Sequence, residues 1–162
     1  MKYKMILSTL FFITMGLLIY TGCKQIVGSE HEEEAIQILL NNEWDLKYFE
    51  IPLGTKQDIG TQGIVMNFYE NGKIRGKAYN LGDYVGGPNR FEGNYELMGN
   101  FTIRFDSVGT TKMYTPPGTR YWEFLDILYY KVDSFKIEEN KLWLYYDNRT
   151  KALFFVARRL EK

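Results

Sequence analysis

The strongest constraint on this chain is a single helix signal in the middle of a strand-rich sequence. Residues 109–132 begin as a Thr-rich loop, pass through Pro116-Pro117-Gly118 and continue as an apolar, aromatic segment with helical spacing. The large side chains of its apolar face are Tyr121, Phe124, Leu125, Leu128 and Val132. This face is wider than an exposed amphipathic helix needs. We therefore expect the helix to cover the open side of a curved sheet.

The sequence on both sides of this helix has the period of β-strands. From residue 43 onwards apolar and polar residues alternate, beginning with Trp44, Leu46 and Tyr48. Small residues at Gly76 and Ala78 share one face of a strand, which lets a sheet curl tightly. The pattern predicts a mainly β fold. We expect an antiparallel meander of about eight strands in a curled or cracked barrel-like sheet, with one helix between strands 5 and 6.

The amino-terminal segment has the features of an export signal. Lys2 and Lys4 precede an apolar run, Ile6 to Tyr20, which at about 1.5 Å per residue is short for a hydrocarbon core of about 30 Å. Gly22 then precedes Cys23, the only cysteine of the chain, in an arrangement that resembles a bacterial lipobox. We interpret residues 1–22 as a lipoprotein signal peptide. A soluble exported protein and a retained amino-terminal anchor are the alternatives.

The lipobox resemblance implies a lipid anchor on Cys23. In that class of protein the thiol carries a diacylglycerol and the new amino terminus is acylated, so the chain is attached to a membrane that it does not span. Lys24 stands where many lipoproteins of the inner membrane have Asp. The predicted location is therefore the bacterial cell envelope, at the outer membrane.

A short helix is predicted between the anchor and the strands. Ser29 is followed three residues later by Glu32, which is the spacing of a capping box. Ile36, Leu39 and Leu40 form its apolar stripe. Residues 23–42 are therefore predicted to be a tether and a short helix, serving as a spacer or lid, and residues 43–160 to be the β domain.

Charge and cysteine content exclude several partners. Removing Lys2 and Lys4 leaves 18 basic residues (20 − 2) against 20 acidic residues, a net charge of −2. This chain has no basic excess to neutralise phosphates, so we expect no nucleic-acid partner. With Cys23 lipidated no thiol remains for redox chemistry or metal binding, and we expect no cofactor.

A series of short motifs resembles the META domain family, which includes HslJ-like lipoproteins. The resemblance covers roughly Asn42 to Ala157. Its motif residues are Trp44, Gly76, Asn80, Thr110, Thr111, Met113, Glu123, Phe124 and Leu125. The resemblance implies an antiparallel β fold with one inserted helix, and a role in the envelope or in stress tolerance.

No constellation of residues predicts catalysis or metal binding. His31 is the only histidine, and one histidine without a cysteine is a poor zinc site, so a solvated surface residue is the alternative interpretation. Glu123 and Asp126 lie close together in sequence. They are either a two-carboxylate site or two solvated residues of the helix. We predict no catalytic residue, no metal site and no enzymatic activity.

Polar motif residues and aromatic residues are the remaining site candidates. Thr110, Thr111 and Asn80 either line a polar pocket at the start of the helix or bond backbone groups and hold a loop in shape.

Aromatic residues make up 27 of the 162 residues, an excess that suggests a ligand. The candidate ligand contacts are Tyr121, Trp122 and Trp143. They form either a platform for a lipid or sugar, or core filling with the polar tips at the surface.

Two functions follow from these observations. The first is a non-catalytic, membrane-tethered envelope lipoprotein that contacts another envelope protein or protects the envelope under stress. The alternative is a binder of a lipid or other apolar small molecule held between helix and sheet.

Overall fold

The computed structural model describes residues 30–81, 88–113 and 115–158. The predicted signal peptide, the lipidation residue Cys23 and the helix cap Ser29 lie outside the described residues. No helix in the described part of the chain is long and apolar enough to cross a membrane.

The described residues form two helices and nine strands. In chain order these are α1 (Glu30–Leu40), β1 (Glu43–Glu50), β2 (Lys56–Gln57), β3 (Gln62–Tyr69), β4 (Lys73–Asn80), β5 (Asn89–Leu97), β6 (Ile103–Thr110), α2 (Tyr121–Tyr130), β7 (Val132–Glu138), β8 (Lys141–Tyr146) and β9 (Lys151–Arg158). The two-residue strand β2 pairs only with β1.

The eight longer strands form one antiparallel sheet that is nearly closed into a barrel. Their order is β6-β5-β4-β3-β1-β9-β8-β7. The first and last strands of the chain, β1 and β9, are therefore neighbours, and the seam lies between β6 and β7. At this seam the Phe135 N–H donates to the Phe101 carbonyl oxygen at 2.9 Å, and Thr102 bridges to Ser134. The helix α2 follows the fifth of the eight longer strands, so the predicted fold class is confirmed.

Gly76 lets the ring of a neighbouring strand pack against the backbone. The residue opposite Gly76 is Phe91 on β5, and both belong to the inward row of their strands. A Cβ at Gly76 would lie 2.2 Å from the Phe91 ring and 2.4 Å from the Val65 carbonyl oxygen. The missing side chain therefore makes room for an aromatic ring in the interior of the barrel.

A bulge in β1 changes which side chains face the interior. The alternation of the sequence placed Tyr48 on the same face as Trp44 and Leu46, but the pairing of β1 with β9 shifts register between Leu46 and Tyr48. One extra residue reverses the side of every residue that follows it. As a result Phe49 is fully buried, and the partly exposed Tyr48 lies on the outer face.

The helix α1 packs against the barrel through a face that only partly matches the predicted one. Its buried residues are Glu32, Ala35 and Leu39, whereas Ile36 and Leu40 are only partly buried. The Glu32 carboxylate accepts a hydrogen bond of 3.3 Å from a backbone N–H in the turn between β5 and β6. Glu32 is therefore fixed by the barrel instead of being a solvated residue of the first helical turn.

The helix α2 fills the end of the barrel where β6 finishes and β7 begins. Its fully or nearly buried residues are Tyr121, Phe124, Leu125, Ile127 and Leu128. The Phe124 ring centroid lies 5.4 Å from that of Phe91 on β5 and 6.4 Å from that of Phe155 on β9. Val132, predicted as part of the helix face, instead begins β7 because α2 ends at Tyr130.

Replacing Phe124 by alanine tests whether α2 holds the barrel together. We expect the free energy of unfolding to fall by about 3–5 kcal/mol, because a large buried ring is lost and a cavity remains. Tyr130 is an aromatic residue of the same helix with 73% exposure, so Tyr130→Ala is the matched control. It should change stability by less than about 0.5 kcal/mol in denaturant melts. Equal losses in the two variants would show that α2 is not docked through Phe124.

Candidate functional site

Amide side chains occupy the end of the barrel that α2 covers. Gln62 at the start of β3 donates to the Asn80 side-chain oxygen at the end of β4, at 3.0 Å. The side-chain oxygen Oε1 of Gln62 accepts a 2.7 Å hydrogen bond from the Thr119 hydroxyl. This hydroxyl in turn accepts the backbone N–H of Tyr121, the first residue of α2. The amides therefore connect two strands to the start of the helix.

Thr110 and Thr111 hold the end of β6 against β5. The Thr110 hydroxyl donates to the Arg90 carbonyl oxygen at 3.0 Å, and the Thr111 hydroxyl accepts the Arg90 backbone N–H at 2.9 Å. The Tyr121 hydroxyl also bonds Thr110. Both threonine hydroxyl groups thus form hydrogen bonds within the protein. This agrees with the interpretation that they hold a loop in shape.

Met113 is held by a buried amide of β5. The fully buried Asn89 accepts the Met113 backbone N–H at 2.9 Å, whereas the Met113 side chain is 45% exposed. The Thr-Thr-x-Met motif therefore contributes two hydroxyl groups and one backbone segment to the end of the barrel. Together with Asn80 these are the predicted motif residues that the structure brings to one place.

The acidic residue of the helix motif forms an ion pair. Arg120 binds Glu123 through two hydrogen bonds of 2.7 Å, and it donates to the Asp58 carbonyl oxygen at 2.8 Å. Its guanidinium lies 3.8 Å from the centroid of the Phe49 ring. The hydrogen bonds from Arg120 lower the pKa of Glu123. Glu123 is therefore ionised and engaged, a state unsuited to donating a proton.

The other titratable candidates have different partners from Glu123. Asp126 pairs with Lys131 at 2.9 Å, so the two carboxylates of α2 each have a cation of their own. His31 is exposed on α1. In the parts of the chain that the structure describes, no three His, Cys, Asp or Glu residues are grouped to hold a metal ion.

Tyr146 places a hydroxyl in the interior near this ion pair. The Tyr146 side chain faces inward at the end of β8 and is 2% exposed. Its hydroxyl has no hydrogen-bond partner among the described residues. Burial, with a contribution from Glu123, raises the pKa of Tyr146 to about 12. The hydroxyl therefore remains neutral over the whole physiological range.

Removing two different tyrosine hydroxyl groups tests this description. Tyr146→Phe should leave the free energy of unfolding equal or higher at pH 7, because an unpartnered buried hydroxyl loses hydration on folding without compensation. Tyr95→Phe is the matched control, since the Tyr95 hydroxyl donates to the Tyr69 carbonyl oxygen at 2.8 Å. Its loss should cost about 1 kcal/mol in a urea melt. A loss of that size in Tyr146→Phe would contradict the assignment.

The pH dependence gives the same experiment a second measure. The unfolded chain ionises tyrosine near pH 10.0, and folded Tyr146 near pH 12. Between these values the folded state keeps the proton that the unfolded state has lost, so the stability contributed by Tyr146 falls as pH rises. The stability of Tyr146→Phe should therefore fall less steeply in this window. Equal slopes for the two proteins would show that Tyr146 titrates normally.

The three aromatic candidates for ligand contact do not share a cavity. Tyr121 is fully buried in the barrel, and Trp122, one residue along the helix, is 43% exposed. Trp143 lies on the outer face of β8, because its neighbours Leu142 and Leu144 face inward. Helical and strand periodicities thus direct the three rings to three different surroundings.

Trp143 belongs to a row of rings on the outer face. Tyr48 and Phe154 stack with centroids 4.4 Å apart, and Trp143 meets Phe154 edge-on at 4.9 Å. Lys56 lies 4.7 Å from the Tyr48 centroid, and Lys136 lies 5.7 Å from the Trp143 centroid. The rings of this row therefore pack on one another and lie close to lysines.

The remaining motif residues stabilise the fold at separate places. Trp44 is fully buried in β1 at the other end of the barrel, where its indole N–H donates to the Leu39 carbonyl oxygen at 2.9 Å. Phe124 and Leu125 belong to the buried side of α2, and Gly76 accommodates a ring as described above.

Sequence reasoning did not identify three buried polar residues: Gln62, Asn89 and Asp45. Gln62 and Asn89 occupy inward positions of their strands. The available signal was an amide side chain at the end of a strand, in a position where the alternation calls for an apolar residue. Asp45 is 3% exposed on the outer side of β1, and it is paired with Lys47 at 2.8 Å and Arg158 at 3.3 Å. No local pattern reveals that pairing, because Arg158 is brought in by β9.

The arrangement of one nearly closed sheet with a helix inserted before its sixth long strand can be compared with known proteins. The family model of the META domain matches residues 37–159 of the chain. The chain belongs to the META domain family.

Two further comparisons give a fold and no close relative. No curated protein matches this META domain chain. The crystal structure of a DUF4847 family protein from Bacteroides vulgatus is similar, with a TM-score of 0.52 and 17% sequence identity over 78% of this chain and 99% of that one. At this identity the likeness concerns the fold alone.

Proposed function

We propose that this META domain protein is a non-catalytic module of the bacterial cell envelope, tethered by lipid on Cys23. It acts by contact with another envelope protein or by protecting the envelope under stress. The observation that carries this proposal is the filled interior of the barrel. The described residues fill this interior with their own side chains, which leaves their outer surface as the part that acts.

The packing between α2 and the sheet argues against the alternative, an apolar ligand held there. Phe124 contacts rings of both β5 and β9, and Leu128 and Ile127 are almost completely buried beside it. A lipid in this space would have to displace these side chains. Protein interiors of this kind are close-packed, so displacement would cost much of the stability of the domain.

The described residues also support a non-catalytic role. Their carboxylates near α2 are paired with cations, and the hydroxyl groups of Thr110 and Thr111 are bonded to backbone. General acid–base or nucleophilic catalysis needs a group free to exchange a proton with a substrate. The exposed aromatic residues Trp122 and Tyr130 of α2 have the composition that is enriched in protein interfaces.

The tether would hold the domain close to the membrane. Seven residue steps separate Cys23 from Glu30, the first residue of α1. Even fully extended they span about 25 Å. A partner would therefore have to reach the domain near the membrane surface.

Metabolic labelling of cells with an alkyne fatty acid tests the anchor. The wild-type chain should become labelled, whereas Cys23→Ala should not, because Cys23 supplies the only thiol of the chain. Tyr130→Ala is the control for an unrelated change. Absence of label on the wild type, or equal label on Cys23→Ala, would eliminate lipidation and with it the tethered form of the proposal.

Native mass spectrometry tests the absence of an internal ligand. The purified protein should have the mass of the processed chain and its acyl groups, without a further molecule. Phe124→Ala is the positive control, because an apolar cavity left by a large side chain binds small apolar molecules. A stoichiometric lipid or apolar molecule on the wild-type protein would favour the alternative function.

A further inference from the structure

A cleft of about 550 Å³ crosses the outer face of the barrel over β4, β5 and β6. Its walls include Arg75, Arg90, Glu92 and Thr111, and its floor is the backbone around Gly76. A second cleft of about 210 Å³ continues it over β3 towards Glu43 and shares Arg75 and Arg90 with the first. We call the two together the outer groove.

The strand register explains why a groove forms here. Arg75, Glu92 and Gly109 form one outward row across β4, β5 and β6, and Lys77 and Arg90 belong to the next outward row. Rows of outward side chains are about 6.8 Å apart along a strand, which leaves a trough above the backbone between them. Gly109 opens one end, because a Cβ at this position would meet no atom within 4 Å.

The charges of the outer groove are not balanced within the protein. Lys77 and Arg90 are exposed and directly opposite each other on β4 and β5, an arrangement of like charges that destabilises a sheet. Neither side chain forms an ion pair with any described residue. Arg75 and Glu92 are 3.8 Å apart and largely exposed, and Glu43 is already 3.8 Å from Arg158. The groove therefore has two cations at its centre that pair with no described acid.

We propose that the outer groove binds an acidic oligosaccharide whose sugar units carry carboxylate or phosphate groups. An anion between Lys77 and Arg90 would relieve their repulsion and accept charge-assisted hydrogen bonds from both. The half-exposed Asn67 amide in the second cleft offers a partner for sugar hydroxyl groups. This role goes beyond the proposed function, because neither the lipid anchor nor an envelope protein partner requires this face.

The shape of the groove favours a glycan over a peptide or a membrane. The groove crosses the strands, and the backbone groups of β4 and β5 beneath it are already paired with neighbouring strands. An extended peptide would find no edge on which to bond its own amides. A flat membrane surface does not enter a trough between rows of side chains. The strands from β1 to β6 cover about 19 Å, enough for several sugar units in one file.

Calorimetric titration of the processed full-length protein in neutral detergent and low salt tests the proposal. The probe is an oligogalacturonate of about six units, with uncharged maltohexaose, hexaglutamate and mixed detergent micelles that contain phosphatidylglycerol as comparisons. We expect the oligogalacturonate alone to bind. Lys77→Gln/Arg90→Gln should weaken its binding at least about tenfold, because charge-assisted hydrogen bonds are lost. Added salt should weaken binding in the wild type.

Two further variants separate the groove from general electrostatics. Arg104→Gln/Lys141→Gln removes the same charge from exposed positions outside the groove and should leave binding unchanged. Gly109→Trp keeps every cation but fills the trough, and it should also weaken binding about tenfold. Gly109→Ala should do so less. A thermal melt checks that each variant is folded.

Several results would overturn the proposal. These are failure of oligogalacturonate to bind, equal binding of hexaglutamate or of the phosphatidylglycerol micelles, and equal weakening by the two double variants. All of the residues changed in the double variants are exposed, so these variants are expected to fold. The titration tests neither the lipid anchor nor the protein partner, so failure here leaves the proposed function standing.

Discussion

The fold depends on the insertion of one aromatic helix face into one end of a barrel. Phe124 lies between rings from β5 and β9, strands that are four places apart in the order of the sheet. A sheet of eight strands whose edges barely meet at the β6–β7 seam has an opening that side chains of the strands alone do not fill. The helix fills that opening, and it also bridges the seam because it connects β6 to β7.

In a filled, apolar interior, the backbone groups at the end of each strand no longer pair with a neighbouring strand and need other hydrogen-bond partners. The covered end of this barrel has amides and hydroxyl groups, namely Gln62, Asn80, Asn89 and Thr119, that bond one another or the backbone. Buried polar groups are tolerated when they are hydrogen-bonded. Asn80, the predicted motif residue among them, thus has a place in the hydrogen bonding that holds this end of the fold.

The outer face of the same sheet is organised differently on its two halves. On β1, β9 and β8 the rings of Tyr48, Phe154 and Trp143 contact one another and are flanked by lysines. On β4 and β5 the cations Lys77 and Arg90 face each other without an acidic partner among the described residues. The first half satisfies its own interactions, whereas the second half leaves charge for something outside the chain. That contrast is the physical basis for assigning binding to the outer groove.

Hydrophobic periodicity was enough to predict the elements and their order, because it is a local property of the chain. Alternation from Trp44 onwards and the helical spacing of Tyr121, Phe124 and Leu128 predicted a meander with one inserted helix, and the structure confirms both. Motif order was likewise enough to indicate the family before any contact was known.

The contacts between side chains of different strands could not be predicted before the fold was known. The bulge after Leu46 exchanged Tyr48 for Phe49 in the interior, and no residue type in β1 marks a bulge that is set by its register with β9. Asp45 forms an ion pair with Arg158, which lies at the far end of the described chain, and Lys77 lies opposite Arg90. Pairings of this kind join residues distant in sequence, so they follow from register and closure of the barrel and not from any local pattern.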